Sequence, residues 1–182
     1  MRTLRLSLLV FLLAPALGLL GVPSVTASTE RAASQVDANV VRAIHDYRAK
    51  TTQLQLVMGV RRTTRVLELT RRGRPSARRA LALWRNRART VKRRYLAGPP
   101  HSWAWQCIHR YEGSWTDPGA PYYGGLQMDI SFQRSYGWHL LRVKGTADHW
   151  APLEQMWVAE KAYRSGRGFY PWPNTARSCG LI

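Results

Sequence analysis

The chain has 182 residues, and its 28 lysines and arginines against 10 acidic residues give a formal net charge of +18. This length fits one domain plus an accessory segment with a modest core. Two cysteines are too few for a structural zinc set, and the five histidines show no paired metal-ligand spacing. We therefore expect no metal site. We also expect no cofactor, because the sequence contains no nucleotide-binding loop.

The first residues have the layout of a secretory signal peptide. Met1–Arg5 is a short positive leader, Leu6–Gly21 is apolar apart from Pro15, and Val25–Ala27 offers small residues for cleavage. The alternative is an uncleaved anchor, but this apolar run is short for a bilayer core of about 30 Å. We predict a signal peptide over residues 1–27 and a secreted, extracellular protein.

The positive charge is concentrated in the middle of the chain. Residues 28–98 hold 18 basic against 4 acidic residues, a net +14, whereas residues 99–182 hold 8 against 6, a net +2. This shift, together with Gly98-Pro99-Pro100, predicts a domain boundary. The prediction is a basic helical arm over 28–98 and a second domain over 99–182.

The arm has the pattern of two amphipathic helices. Apolar residues recur at helical spacing in two stripes, and Arg71–Pro75 separates them, with Ser76 as the predicted N-cap of the second helix. The stripes are Val36, Val40, Val41, Ile44, Tyr47, Leu54, Val57 and Met58, and then Ala77, Ala80, Leu81, Trp84, Ala88, Val91 and Tyr95. We expect a helical hairpin with its arginines facing outward.

Three uses of the arginine-rich face are open. It is either a merely solvated surface, or it binds phosphate of the wall or membrane, or it binds nucleic acid in a salt-dependent way. The export signal and the lack of a base-reading motif argue against nucleic acid as the partner. We expect anionic cell-envelope polymers to be the partners of the arm.

The stretch Trp105–Trp115 carries one carboxylate among aromatic residues. Trp103, Cys107 and Tyr111 are four residues apart, which predicts that this helix face points to a core. Glu112 ends the helix, where burial and the negative end of the helix dipole would raise its pKa. A proton held at working pH suits a general acid in glycosidic cleavage. The alternative is a solvated surface glutamate.

These residues and those that follow resemble the catalytic domain of resuscitation-promoting factors, which are lysozyme-like, transglycosylase-type muralytic proteins. The resemblance covers roughly residues 103 to 179, and its most specific part is Tyr122-Tyr123-Gly124-Gly125-Leu126-Gln127. The other matches are Glu112, Ser114-Trp115, Glu154-Gln155, Val158–Lys161 and Trp172-Pro173. It implies a mainly α, α+β lysozyme-like domain with a small β segment, here preceded by the basic helical hairpin.

The resemblance also implies a chemistry. Glu112 would protonate the oxygen that links N-acetylmuramic acid to N-acetylglucosamine, so the partners would be peptidoglycan glycan strands and the protein would be associated with the cell wall. A transglycosylase needs only this acid, whereas a lysozyme normally uses a second carboxylate. Asp117 and Asp129 are the local candidates. Asp117 before Pro118-Gly119 is more typical of a turn, and for Asp129 we favour substrate binding or capping.

The expected substrate-binding residues are Trp115, Tyr123, Gln127, Asp129 and Ser131. Tyr123 and Gln127 would share one face if the segment were extended, and Gln127 either binds an acetamido group or bonds the neighbouring loop. Trp115 either stacks on sugar or fills the core. Ser131 alternatively caps a helix over Phe132–Tyr136.

The remaining expectations concern the end of the chain. An even cysteine count in an exported protein predicts a Cys107–Cys179 disulfide, although in the resembled family the cysteines lie closer to the catalytic Glu and to Trp-Pro. Pro152 predicts the first turn of a helix that stops at Gly166, and Trp172 is expected in the core. A monomer is expected. The rival functions are a non-catalytic peptidoglycan-binding module and a cationic envelope- or nucleic-acid-binding protein.

Overall fold

The computed structural model of the chain describes residues 25–62 and 77–182, with side chains described from residue 38 onward. The described residues are mainly helical with one small two-stranded sheet, as predicted. Most of the predicted signal peptide, the break at Arg71–Pro75 and the predicted cap Ser76 lie outside the described residues. Residues Val36–Ile182 form one compact unit, which includes residues of both the arm and the C-terminal region.

Within the described residues the helices and strands come in the following chain order. They are helix α1 (Val25–Met58), helix α2 (Ala77–Leu96), helix α3 (Ser102–Glu112), strand β1 (Tyr122–Tyr123), strand β2 (Met128–Asp129), helix α4 (Ile130–Lys144), a 3-10 turn (Ala147–His149), helix α5 (Pro152–Ala162), a π-helical turn (Tyr163–Arg167) and helix α6 (Pro173–Ser178). No helix within 25–62 and 77–182 is long and apolar enough to cross a membrane.

The two arm helices are amphipathic, as their stripes predict. Every member of the α2 stripe is buried or half-buried, and Trp84 is the most buried of them. The guanidinium groups of Arg48 and Arg87 lie 5.6 and 5.4 Å from the Trp84 ring, within cation–π range. In α1 the prediction is wrong for Val41, which is 48% exposed.

The arm helices contact the C-terminal core through their carboxyl-terminal ends. Val57 and Met58 are fully buried members of that core. The Trp157 indole donates to the Tyr95 carbonyl oxygen at 3.1 Å, and the Arg164 guanidinium donates to the Met58 carbonyl oxygen at 2.5 Å. The bond from Arg164 satisfies a carbonyl group that a helix end otherwise leaves without a partner, whereas the Tyr95 carbonyl also accepts from Gly98 N at 3.1 Å.

The small sheet is an antiparallel pair in which Tyr122 is opposite Asp129 and Tyr123 is opposite Met128. Gly124 between the strands has φ +73, and a Cβ there would lie 2.5 Å from Gln155 Oε1. Glycine is required because the backbone is both left-handed and pressed against a side chain. Gly124 therefore allows a tight backbone passage between the two strands.

Helix α5 carries buried polar side chains that connect the surrounding elements. Pro152 begins it, as predicted, and Gly166 with φ +97 interrupts the π-helical turn that follows it. The Gln155 amide accepts from Gly125 N at 2.9 Å and donates to the Ala147 and Trp115 carbonyl oxygens at 2.8 Å. A fully buried amide with these partners joins the sheet loop to the helices.

Glu160 is the second buried polar group of α5, and only 1% of it is exposed. Its carboxylate accepts from the Trp105 indole at 3.0 Å and lies 3.1 Å from His101 Nδ1. Arg164 Nε is 4.0 Å from the other oxygen. Two hydrogen-bonding side chains and a nearby cation therefore offset the carboxylate's loss of hydration.

The face of α3 that enters the core is not the predicted one. Trp103 and Tyr111 are 64% and 60% exposed, and Cys107 is half-buried. The buried residues are instead Ala104, Trp105 and Ile108. Both faces of the helix carry apolar residues, so their periodicity alone does not determine which one packs inward.

The predicted disulfide between Cys107 and Cys179 is present, and it closes a sequence separation of 72 residues. It links the middle of α3 to the residue that follows α6. Trp172 is buried, as predicted, and its indole donates to the Leu126 carbonyl oxygen at 2.6 Å. Together these contacts hold α6 against the helix that ends at Glu112.

Candidate functional site

Glu112 lies at the wall of an open cleft. It is the last residue of α3, and Gly113 with φ +146 turns the chain away directly after it. The cleft has a volume of about 230 Å³ and is lined by Glu112, Tyr122, Gln127, Pro171, Trp172, Pro173 and Asn174. The carboxylate is half-buried, so it is neither in bulk solvent nor sealed in the core.

One neighbour orients the Glu112 carboxylate. The Thr175 hydroxyl on α6 donates to Glu112 Oε1 at 2.7 Å, which fixes the side chain against the C-terminal helix. Oε2 accepts no hydrogen bond from any residue that the structure describes. One oxygen is thus held by the protein while the other remains available to a molecule in the cleft.

A second cleft of about 320 Å³ continues the first. It shares Tyr122, Gln127, Pro171 and Trp172 with the Glu112 cleft, and its further lining residues are Met128, Asp129, Ser131, Phe132, Ser135 and Arg167. Its lining includes hydroxyl, amide, charged and aromatic side chains. We call the two together the groove. A groove with this lining suits an extended polar chain with flat faces better than a small apolar ligand.

Gln127 lines both parts of the groove, but it also supports the loop. Its amide nitrogen donates to Asp117 Oδ2 at 2.8 Å and to the Gly124 carbonyl oxygen at 3.0 Å. The predicted alternative, bonding the neighbouring loop, is therefore correct. The amide Oε1 is the atom that the loop contacts leave for a ligand, since both named bonds use the nitrogen.

Asp117 is a turn residue, as predicted. Its Oδ1 accepts from Gly119 N at 3.0 Å while its Oδ2 holds Gln127. Both carboxylate oxygens are thus engaged within the loop, and Asp117 does not line the groove. This geometry disfavours a role for Asp117 as a second catalytic carboxylate.

Asp129 and Ser131 both line the second cleft. Asp129 is the N-cap of α4, and its Oδ1 accepts from Phe132 N at 2.7 Å, which confirms the predicted capping role. The alternative prediction that Ser131 caps this helix is wrong, because the helix begins one residue earlier, at Ile130. Ser131 is exposed, and its hydroxyl is placed at the groove wall.

Two of the predicted substrate-binding aromatics lie away from the groove lining. Tyr123 packs against the core, and Trp115 stacks on the His109 ring at 3.9 Å between centroids. The expectation that Tyr123 and Gln127 share a strand face is wrong, because β1 ends at Tyr123 and the chain then turns. For Trp115 the core-filling alternative is the correct one.

Tyr122, Trp172, Arg167 and Thr175 belong to the site although sequence reasoning did not place them there. Tyr122, and not Tyr123, lines the groove. Arg167 also lines it, with its guanidinium carbon 5.9 Å from the centre of the Phe132 ring. For Tyr122 the signal was present in the Tyr-Tyr pair, since adjacent strand residues point to opposite faces. Nothing near Thr175 in the sequence indicates its contact with Glu112, 63 residues away.

The described residues contain no group of three or more His, Cys, Asp and Glu side chains that could hold a metal ion. Comparison of the chain with protein-family models, with curated proteins and with solved structures gives no match. The function must therefore be argued from the groove itself and from the resemblance in sequence.

Proposed function

We propose that the protein is a secreted muralytic enzyme that cleaves the bond between N-acetylmuramic acid and N-acetylglucosamine in peptidoglycan. The observation that carries this proposal is Glu112, a half-buried carboxylate at the wall of a polar and aromatic groove, one oxygen of which has no hydrogen-bond partner among the described residues. The mainly helical fold with a short β segment fits the lysozyme-like architecture that the sequence resemblance implies.

The proposed reaction needs one acid. Glu112 donates its proton to the glycosidic oxygen as that bond breaks, and positive charge develops at the anomeric carbon. The C6 hydroxyl of the same muramic acid residue then attacks this carbon, and Glu112 takes the hydroxyl proton. The products are a free N-acetylglucosamine end and a 1,6-anhydromuramic acid end, and Glu112 is protonated again.

The placement of the other carboxylates favours this route over hydrolysis through a second carboxylate. Asp117 uses both oxygens inside its loop, and Asp129 uses Oδ1 to cap α4. A retaining glycosidase requires a second carboxylate about 5 Å from the acid to form a covalent intermediate. A transglycosylase replaces that group with the sugar's own hydroxyl.

Gln127, Tyr122 and Ser131 would bind the glycan strand along the groove. The Gln127 Oε1 can accept from an acetamido N–H, the Ser131 hydroxyl can bond a sugar hydroxyl, and the exposed Tyr122 ring offers a flat face. The basic arm would concentrate the enzyme at anionic envelope polymers, since its arginines are mostly exposed.

The decisive experiment incubates the purified protein with peptidoglycan and identifies the released muropeptides by mass. Anhydro ends support the transglycosylase, whereas reducing ends would indicate hydrolysis. Glu112→Gln should lower release at least about 10³-fold, because it removes the proton donor but retains the shape. The matched control Asp46→Asn changes an exposed arm carboxylate to its amide and should leave release unchanged.

Two results would contradict the proposal. Full activity of a folded Glu112→Gln variant would remove Glu112 from the mechanism. Sedimentation with peptidoglycan without any release by the unaltered protein would identify a binding module instead of an enzyme. Circular dichroism of both variants verifies that the fold is retained.

A further inference from the structure

The arm contains a further cleft, which we call the arm cleft, between the carboxyl-terminal half of α1 and that of α2. Its volume is about 510 Å³, within the range of small-molecule sites. The residues that line it are Tyr47, Lys50, Thr51, Gln53, Leu54, Ala88, Arg89, Lys92, Tyr95 and Leu96. It shares no lining residue with the groove that contains Glu112.

The walls of this cleft are largely apolar. Tyr47, Leu54, Ala88 and Tyr95 are half-buried between the two helices. Thr51 is the buried polar member, and its hydroxyl is already used, because it donates to the Tyr47 carbonyl oxygen at 2.6 Å. Burial, and then the charge of Glu154, raise the pKa of Tyr95 to about 12, so this phenol stays neutral.

The charged side chains that line the cleft are all basic. Lys50, Arg89 and Lys92 are exposed lining residues, and none of the described lining residues is acidic. Long basic side chains keep their charged ends in water while their methylene stems cover apolar surface. The cleft therefore combines an apolar interior with three cations at its solvent side.

We propose that the arm cleft binds an envelope lipid that has a hydrocarbon chain and an anionic phosphate head group. The hydrocarbon chain would occupy the space between Leu54, Ala88 and Tyr95, which removes apolar surface from water. The phosphate would pair with Lys92, Arg89 and Lys50 through charge-assisted hydrogen bonds. Charge complementarity selects this occupant over a neutral or cationic amphiphile.

Binding of such a lipid would differ from purely electrostatic binding in its dependence on salt. Exposed arginines attract any polyanion, and this attraction falls as salt is added. A lipid held partly by its hydrocarbon chain would remain bound at high salt, because burial of apolar surface does not depend on ionic screening. The proposal is independent of the muralytic activity, since it involves none of the groove residues.

Dodecyl phosphate below its micelle concentration is a suitable probe, with inorganic phosphate and neutral dodecyl maltoside as comparisons. Isothermal titration calorimetry of the full protein should show saturable binding of dodecyl phosphate that persists at high salt. Both comparison compounds should bind at least about tenfold more weakly, because inorganic phosphate lacks the hydrocarbon chain and dodecyl maltoside lacks the anionic head group. Equal binding of inorganic phosphate or of dodecyl maltoside would overturn the proposal, as would an absence of dodecyl phosphate binding.

Variants test the location. Lys50→Gln with Lys92→Gln should weaken dodecyl phosphate binding about tenfold, since each charge-assisted hydrogen bond contributes appreciably. Arg85→Gln with Arg93→Gln removes the same charge from exposed positions outside the cleft and should weaken it less than about twofold. Equal losses in the two double variants would show that net charge alone is responsible.

A third variant tests the hydrocarbon chain separately from the charge. Ala88→Phe places a ring in the cleft and should abolish dodecyl phosphate binding, with helicity verified by circular dichroism. If Ala88→Phe disturbs the packing of the arm helices, the double variant Lys50→Gln with Lys92→Gln still tests the site, because it alters only exposed side chains. Unchanged binding by folded Ala88→Phe would exclude this cleft as the site.

Discussion

The C-terminal region and the basic arm differ in what holds them together. Residues 99–182 contain buried amide and carboxylate side chains, a disulfide and most of the core. The arm helices bury Trp84, Val57 and Met58 together with the polar Thr51 and Gln55, and their surface is rich in basic residues. The comparison teaches that a covalent bridge and buried hydrogen bonds stabilise the region of the groove, whereas packing between the arm helices is opposed by repulsion among the arm's own cations.

The largest expected effect concerns the disulfide. Replacing both Cys107 and Cys179 by serine should lower the free energy of unfolding by about 4 kcal/mol, because the unfolded chain regains the entropy of a loop closed over 72 residues. Urea denaturation of the variant and the parent measures this difference. A loss below about 1 kcal/mol would show that the bridge does not restrain the unfolded chain.

Glu160 tests the buried polar network. Glu160→Ala should cost about 3 kcal/mol, because His101 and the Trp105 indole lose their acceptor inside the core. Glu160→Gln is the matched control, since it keeps an acceptor oxygen of the same shape and should cost less. Equal losses in thermal or urea unfolding would mean that the bonds to the carboxylate are not the source of stability.

The pH dependence of stability should report on His139 in α4. Burial, and then the charge of Lys161, lower its pKa from 6.5 to about 4, while Glu154 acts in the opposite direction. Between these values the unfolded chain binds more protons than the folded one, so stability falls as pH falls from 6.5 to about 4. We expect a loss of about 2 kcal/mol over this window.

His139→Gln should remove that part of the pH dependence, whereas His45→Gln in the exposed face of α1 should not. The test is to measure the free energy of unfolding of the parent and of both variants between pH 6.5 and about 4. An identical pH profile for the parent and His139→Gln would contradict the assignment.

The smallest expected effect is in the arm. Arg85, Arg89 and Arg93 are spaced four apart on α2, and such like-charged pairs destabilise a helix by about 0.2–0.5 kcal/mol each. Raising the salt concentration should therefore slow amide exchange in α2 by an amount that corresponds to less than about 1 kcal/mol. Amide exchange between Cys107 and Cys179 should change little when salt is added. A larger change there than in α2 would show that charge repulsion opposes folding more in the C-terminal region than in the arm.

Several features could be predicted from sequence because they depend on local chemistry. Three residues satisfy a requirement of the local backbone: a proline at the start of α5, a glycine at positive φ after Tyr123, and Asp129 as the N-cap of α4. The stripe of α2 follows from helical period alone. The position of Glu112 at the end of α3 likewise follows from Gly113 directly after it.

Other features were decided by tertiary packing. Helix α3 has apolar residues on two faces, and only contact with α5 determines that Trp105 enters the core while Trp103 remains exposed. The choice of Tyr122 over Tyr123 as a groove residue depends on where the two-residue strand ends. The contact of Thr175 with Glu112 depends on α6 returning to α3.

The sequence by itself determined the apolar stripe of α2, the start of α5, where the charge is concentrated, which carboxylate ends α3 and that the two cysteines pair. Only the tertiary structure decided what surrounds that carboxylate, because a groove is formed by residues distant along the chain. Local propensities act over a few residues, whereas the partners of Glu112 and Glu160 are brought close by burial of apolar surface across the whole unit.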